Sequence, residues 1–251
     1  MPEAQLHSLL VLTTFALAAV TFAALFWVTA PYGRHLRSGW GPTISARLGW
    51  VIMESPAVLL FVAIFSVGEH ATATVPQILL GIWLFHYIYR TFVFPIRMRA
   101  AQRMPMTVVA MAIAFNCLNA YLNARWISHL GTYDVAWLTG APFMIGVLCF
   151  VIGWAINQHA DAVLIRLRRP GDTSYSIPHG GLYRWVSCPN YLGEMLEWIG
   201  WAIATWSLAG AAFAVFTIAN LLPRALANHR WYRQEFADYP GSRHAVVPFV
   251  L

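Results

Sequence analysis

Polar and ionisable side chains recur at helical spacing within segments that are otherwise apolar. Asn190, Glu194 and Glu197 follow one another at intervals of four and three residues, so a helix would carry them on one face. Carboxylate oxygens at such positions accept hydrogen bonds from hydroxyl or carboxamide groups of a ligand. The surrounding segment is built largely of leucine, isoleucine, tryptophan and alanine. We therefore regard these side chains as candidates for a buried binding site.

Five other segments carry comparable residues. They are Glu54 before Pro56; His86, Tyr87 and Arg90; Asn116, Asn119 and Asn123; Asn157, Asp161 and Arg168; and His229 with Tyr232. Each set also has a purely structural interpretation. A glutamate or a tyrosine can lie at a membrane boundary, asparagines can join helices by hydrogen bonds, and Asp161 and Arg168 can pair with each other.

The composition indicates the environment of these segments. Hydrophobic residues make up 59% of the 251-residue chain and charged residues only 10%, against about 25% charged residues in soluble domains. Lipid as the solvent accounts for this composition, so we expect a multi-pass membrane protein. The sixteen basic residues are all arginine and lie in short clusters between apolar runs, which argues against nucleic-acid binding. The three cysteines are far apart, and no metal site is predicted.

Seven stretches match the length of a membrane-spanning helix, which is about 20 mostly apolar residues. They cover approximately residues 7–30, 47–67, 74–96, 107–127, 138–165, 191–206 and 208–228. No basic region precedes the first stretch, so we interpret it as a retained helix and not as a signal peptide. The predicted fold is all-α, a single membrane domain of seven transmembrane helices over residues 1–251.

The arginines predict how this bundle is oriented. They lie in the first, third and fifth connections and in the tail, whereas the second and sixth connections contain none and the fourth has only Arg125. Because basic residues accumulate on the cytoplasmic side, the N-terminus is expected outside and the C-terminus in the cytoplasm.

This orientation brings the polar stripes together in the cytoplasmic half of the bundle. An ionisable group inside a membrane costs about 2.5–3.5 kcal/mol, so such groups normally face a cavity or a partner. A lining of arginine and asparagine suits a large anionic cofactor, because arginine binds phosphate oxygens bidentately. The chain has no GxGxxG or GxxxxGK[ST] stretch, which excludes a Rossmann or P-loop site. The residues thus predict a membrane pocket for an apolar substrate and an anionic cosubstrate.

Several of these segments resemble the steroid 5α-reductase family. The most specific are "GDTSYSIPHGGLYRWVSCPNYLGEMLEWIGWAIATWSLAG" and "HRWYRQEFADYPGSRHAVVPFVL". The stretches "HYIYRTFVFP" and "GWAINQHADAVLIRLRRPG" are also similar to motifs of that family, and "MESPA" at Glu54 is the weakest match. The likeness covers nearly the whole chain and is faint only in roughly the first 30 residues. It implies a seven-helix fold that binds NADPH within the bundle and reduces a Δ4-3-ketosteroid.

The resemblance also implies roles for individual residues. Tyr87 and Glu54 would bind the substrate carbonyl, with Tyr87 stabilising the developing oxyanion and Glu54 sharing the proton. The cofactor would be bound by Arg90, Arg103, Asn157, Asp161, Arg168, Tyr175, Asn190, Glu194, His229 and Tyr232. Glu197 would brace the pocket without contacting the cofactor.

Two positions depart from the pattern of the family. Ser176 stands where vertebrate members carry arginine, and Asn228 stands where a histidine is common. The phosphate contacts are therefore open, with Arg184 a possible replacement, and so is the preference for NADPH over NADH. Arginine without lysine indicates a GC-rich genome, so we expect a bacterial protein of the inner membrane, or of the endoplasmic reticulum if the source is eukaryotic, acting as a monomer.

Other functions remain open at this stage. Sterol C14 reductases and enoyl-CoA reductases share the broad architecture, and isoprenylcysteine methyltransferases use a related bundle with S-adenosylmethionine. A transporter or structural protein is disfavoured, because the chain shows no inverted repeat and carries many ionisable groups in its apolar segments.

Overall fold

The computed structural model describes residues 1–98, 103–168 and 174–251, and most of them form long helices. The apolar runs are helical because a backbone in lipid must satisfy its hydrogen bonds within its own segment. The helices are α1 Glu3–Trp27, α2 Ala46–Ser66, α3 Thr74–Arg97, α4 Met106–Leu130, α5 Ala141–Leu167, α6 Pro189–Thr205 and α7 Leu208–Glu235.

Six of these helices, all except α6, are long and apolar enough to cross a membrane. A helical, multi-pass membrane protein is thereby confirmed. Helix α6 has 17 residues and lies within two residues of the predicted stretch 191–206. The all-α prediction omitted one small feature: β1 Thr43–Ser45 pairs antiparallel with β2 Arg103–Pro105, which ties the connection before α2 to the connection before α4.

Helix α3 is interrupted by a π-helical turn over Tyr89–Val93. A π turn closes its hydrogen bonds one residue later than an α turn and is common at functional sites. Here it begins two residues after Tyr87 and contains Arg90, and both residues line the main cavity. The wider turn therefore begins between two cavity residues that helical spacing alone had predicted to share a face.

Helices α5 and α6 pack antiparallel at very short range because glycines lie at their interface. A Cβ atom added at Gly153 would lie 2.4 Å from the Glu197 amide nitrogen, and one added at Gly193 would lie 2.5 Å from the Asn157 amide nitrogen. Small residues allow the backbones of membrane helices to approach in this way. The contact brings the polar stripe of α5 directly beside that of α6.

The interior of the bundle is aromatic away from the polar stripes. Trp83 stacks on Phe61 at 4.3 Å and contacts Trp201 at 5.2 Å, between ring centroids. The indole nitrogen of Trp201 donates to the amide oxygen of Asn123 at 2.8 Å, and Asn123 also donates to Asn119. Asn123 therefore joins α4 to α6 within the core, as the structural interpretation of its spacing predicted, whereas its hydrogen bond to Asn119 lies within α4.

Helix α1 is fastened to α4 at its N-terminal end. The guanidinium group of Arg125 donates two hydrogen bonds to the Glu3 carboxylate, at 2.6 and 2.7 Å. The His7 ring lies 2.9 Å from the Leu122 carbonyl oxygen. Because α4 extends to Leu130, Arg125 lies inside a helix and not in the fourth connection, where it was expected.

Candidate active site

A cavity of about 790 Å³ occupies the end of the bundle where α1, α3, α5 and α7 end and α2, α4 and α6 begin. Side chains from all seven helices line it. One part is apolar, with Val20, Ala24, Met111, Phe115 and Phe216 in its walls. The other part is polar and leads to the connection after α1. This arrangement suits one apolar and one charged ligand in contact with each other.

The two predicted catalytic side chains, Glu54 and Tyr87, both line this cavity. The Asn116 amide donates to a carboxylate oxygen of Glu54 at 3.2 Å and to the Met53 carbonyl at 2.6 Å. Tyr87 packs against the rings of Trp83 and Trp198, with centroids 4.7 and 5.5 Å away. Contacts from three helices thus restrain the two side chains beside the same space.

Glu197 is completely buried, and its carboxylate accepts a hydrogen bond from the imidazole Nδ1 of His86 at 2.6 Å. The other carboxylate oxygen has no partner among the described residues. The His86 ring lies edge-on against Tyr87 at 4.9 Å and Trp198 at 4.6 Å, and it lines the cavity. Glu197 therefore orients a cavity residue that touches Tyr87, and His86 is a site residue that the sequence predictions left without a role.

Arg90 lies between two carboxylates. Its guanidinium nitrogens are 3.5 Å from oxygens of Asp161 and Glu194. Asn190 donates to the other Asp161 oxygen at 3.1 Å, and Asn157 donates to the Asn190 carbonyl at 3.0 Å. The stripes of α3, α5 and α6 therefore meet, but Asp161 pairs with Arg90 and not with Arg168.

Aromatic rings and arginines surround the polar part of the cavity. The guanidinium group of Arg34 lies over the rings of Tyr175 and Tyr232, at 5.2 and 4.3 Å from their centroids, and donates to the Tyr232 hydroxyl at 3.1 Å. The guanidinium group of Arg168 also lies over the Tyr175 ring, 4.9 Å from its centroid. Arg34, Arg168 and Tyr175 line the cavity, whereas Tyr232 supports Arg34 from behind.

Arg224 on α7 is a further cavity residue that the sequence predictions did not include. It donates to the Tyr191 hydroxyl at 2.8 Å, and its guanidinium group stacks on Tyr32 at 3.5 Å. Thr217, Asn220, Arg224 and Asn228 all line the cavity at helical spacing. This spacing was the signal in the sequence that would have revealed Arg224.

The loop after α1 closes over this region and contributes two titratable groups. Burial raises the pKa of the Tyr32 phenol and lowers the pKa of the His35 imidazole, because each environment disfavours the charged form. The His35 ring also lies 2.9 Å from the Asn228 amide oxygen. Asn228, one of the two departures from the family pattern, is therefore engaged with this loop.

Of four remaining positions, Arg103 lines the cavity and the other three do not. Arg103 lines the cavity and donates to the Thr43 hydroxyl at 2.7 Å. The His229 ring lies 2.6 Å from the Ser187 hydroxyl, which is itself 2.6 Å from the Tyr239 hydroxyl. Neither His229 nor Asn157 is among the side chains that line the cavity, and Arg184 lies over the Trp185 ring at 5.5 Å.

The charges at the polar end fit an anion with several oxygens. Two carboxylates balance Arg90, whereas Nη1 of Arg34 and Nη1 of Arg224 are buried without a hydrogen-bond partner among the described residues. A buried donor without a partner costs free energy unless a ligand supplies an acceptor. Phosphate oxygens would satisfy both guanidinium groups, so the residues present fit a phosphorylated cofactor.

Comparison with known proteins identifies the family. The model of the 3-oxo-5-alpha-steroid 4-dehydrogenase family matches residues 102–251. The chain belongs to the 3-oxo-5-alpha-steroid 4-dehydrogenase family. A steroid 5-alpha-reductase DET2 from Gossypium hirsutum is 45% identical over 245 residues, covering 95% of each chain. The 3-oxo-5-alpha-steroid 4-dehydrogenase 1 of Homo sapiens is 38% identical over 256 residues, covering 99% of this chain and 97% of the human one.

Membership of the 3-oxo-5-alpha-steroid 4-dehydrogenase family confirms the resemblance stated from the motifs. The chain is an oxidoreductase of steroid metabolism. This excludes the methyltransferase, transporter and structural alternatives. The match also covers the part of the chain that supplies α5, α6 and α7, and hence most of the polar wall of the cavity.

Proposed function

We propose that this protein reduces the C4=C5 double bond of Δ4-3-ketosteroids with NADPH. The observation that carries the proposal is the continuity of one cavity, which runs from Glu54 and Tyr87 to the unpaired guanidinium nitrogens of Arg34 and Arg224. A reductase of this kind needs an apolar ketone and an anionic dinucleotide in contact, and the two parts of the cavity match those two ligands.

The polar part of the cavity holds the cofactor in this proposal. Its phosphate groups are neutralised by four arginines, Arg34, Arg103, Arg168 and Arg224. Its uncharged groups exchange hydrogen bonds with Asp161, Asn190 and Glu194. Asn157 and Tyr232 support these residues from behind, and His229 supports the tail that covers them. When bound, NADPH would supply the hydride for the β-carbon of the enone.

The chain's own residues act on the substrate carbonyl. Tyr87 donates a hydrogen bond to the ketone oxygen and stabilises the negative charge that develops there as the β-carbon is reduced. Glu54, fixed by Asn116 at 3.2 Å, shares the proton of the phenol and helps to return it. The α-carbon of the resulting enolate then takes a proton from water, which completes addition of one hydride and one proton across C4=C5.

A direct test uses purified protein in detergent with NADPH and testosterone or progesterone. The expected result is oxidation of NADPH together with a product that carries hydrogen at C5 in the α configuration, identified by mass and by comparison with both C5 epimers. Consumption of a different enone, with every Δ4-3-ketosteroid left unchanged, would reassign the substrate.

Arg224→Ala is expected to weaken NADPH binding by about 10- to 100-fold, because a charge-assisted hydrogen bond contributes about 1.5–3 kcal/mol. Arg168→Ala and Asn190→Ala are expected to act in the same direction. The measurement is a fluorescence titration of NADPH, with Arg184→Ala as the matched control, since Arg184 stacks on Trp185. Equal affinity in the Arg224→Ala and Arg184→Ala proteins would contradict the proposed cofactor position.

The same proposal includes the arrangement in the membrane. Helix α6 is the seventh span, the N-terminus lies outside, and the cavity opens to the cytoplasm, where NADPH is available. The protein acts as a monomer in a bacterial inner membrane, or in the endoplasmic reticulum membrane if its source is eukaryotic, and residues 1–251 form one domain. The arginine clusters in the connections at the cavity end support this orientation.

A further inference from the structure

The tail after α7 folds back along the bundle. Val246 and Val247 pack with Cys188, Met195 and Ala225, in a cluster that also includes Ile218, Leu221 and Leu222 of α7. Backbone hydrogen bonds of Ser187 and Cys188 to the carbonyls of His244 and Ala245, at 2.9 and 3.0 Å, join the tail to the loop before α6. The tail is therefore a fixed part of the fold.

The packing shows how far back the tail reaches. Ala225 lies ten residues before Glu235, the last residue of α7, which at 1.5 Å per residue corresponds to about 15 Å. The tail thus packs at the level of Ala225, which lies within the candidate membrane span Leu208–Glu235.

The tip of this tail displays apolar side chains outward. Phe249 is 75% exposed and Val250 is 76% exposed. The turn is closed by hydrogen bonds from the Val246 and Val247 amides to the Leu251 carbonyl, at 2.8 and 2.7 Å. Phe249 has a φ of +63°, a conformation that is costly for a bulky residue. A folded, strained turn that exposes two large apolar side chains indicates a contact surface.

The neighbours of the tip are those of a membrane boundary. The Trp185 ring, whose residue is 39% exposed, lies 6.1 Å from the Phe249 ring. The guanidinium group of Arg184 lies over Trp185 at 5.5 Å. Tryptophan is enriched where hydrocarbon meets lipid headgroups, and arginine side chains extend from there toward the water.

We propose that the tip formed by Phe249 and Val250, together with Trp185, inserts into the lipid bilayer at the end of the bundle where the cavity opens. Lipid is the occupant because the tail returns to the depth of a membrane-spanning helix and because an aromatic and a cationic side chain border it. The insertion anchors the tail, which reaches α7 through Tyr239, Ser187 and His229. The anchor does not depend on the substrate or cofactor assigned above.

A photo-crosslinking experiment tests the anchor without replacing any cysteine. The full chain is made with p-benzoyl-phenylalanine at position 249, and separately at the exposed position Ser242 of the same tail, and both proteins are placed in nanodiscs of phosphatidylcholine. Irradiation is expected to give a phospholipid adduct at position 249 and none at position 242, as read by mass spectrometry of the intact protein. Equal lipid labelling at both positions, or none at position 249, would overturn the proposal.

A spin label gives a second reading and separates lipid from a second copy of the chain. Phe249→Cys and Ser242→Cys are labelled after Cys117, Cys149 and Cys188 are changed to alanine. The label at position 249 is expected to collide more with oxygen and less with a water-soluble nickel complex than the label at position 242. The reverse order would refute insertion. Spin–spin broadening at position 249 that disappears on dilution with unlabelled protein would assign the tip to a protein contact and would also refute it.

Discussion

Tyr87→Phe is expected to lower turnover about 10²- to 10³-fold while leaving the dissociation constant for NADPH nearly unchanged. The size follows from the loss of a single donor to an oxyanion in a site shielded from water. Phenylalanine preserves the ring contacts with Trp83 and Trp198, at 4.7 and 5.5 Å, so the shape of the cavity should persist. The turnover rate would therefore fall without a comparable change in the affinity for NADPH.

The measurement pairs single-turnover NADPH oxidation with a fluorescence titration of the cofactor. Tyr133→Phe is the matched control, because this half-buried tyrosine also donates a hydrogen bond, to the Thr205 carbonyl at 2.7 Å, and lies outside the main cavity. The control should keep its turnover. A Tyr87→Phe protein that reacts normally, or that fails to bind NADPH, would show that the role of Tyr87 is misassigned.

Glu197→Ala is expected to destabilise the protein by about 3–5 kcal/mol, because removing one member of a buried pair leaves the other without its partner. It should also lower turnover, since Glu197 holds His86 against Tyr87. Glu197→Gln retains an oxygen that accepts the hydrogen bond from the imidazole, so most of the stability should return with it.

Unfolding in detergent, followed by circular dichroism, measures the stability of these variants. Glu69→Ala serves as the control, because Glu69 is exposed and should tolerate the change. The ratio of turnover to steroid KM is compared across all three variants. If alanine and glutamine at position 197 lowered stability and turnover equally, the hydrogen bond to His86 would not be the reason for the buried carboxylate.

Local rules predicted much of this protein from its sequence. Runs of apolar residues predicted the positions of the helices, because lipid leaves a backbone few alternatives to the α-helix. Spacing on single helices correctly grouped Asn190 with Glu194 and Tyr87 with Arg90 along the cavity. The short motifs predicted the family, which the comparisons confirmed.

The spacing of residues along the sequence did not predict which side chains pair between different helices. Spacing offered Arg168 as an alternative partner of Asp161, yet Asp161 contacts Arg90 of α3. His86 and Glu197 are 111 positions apart in the chain and meet only because α3 and α6 adjoin. The loop residues Tyr32 and Arg34 reach the site by folding over α7, and no periodicity marks such a loop.

One physical reason explains why the faces of single helices were predictable and the contacts between helices were not. The sequence alone determined which residues share a helix face, because that depends on the fixed rise and rotation of a helix. Only the tertiary structure decided which faces meet, because that depends on how closely backbones can approach. At Gly153 and Gly193 the absence of a Cβ atom lets α5 and α6 come together, and this contact places Asn157 behind Asn190 at the wall of the cavity.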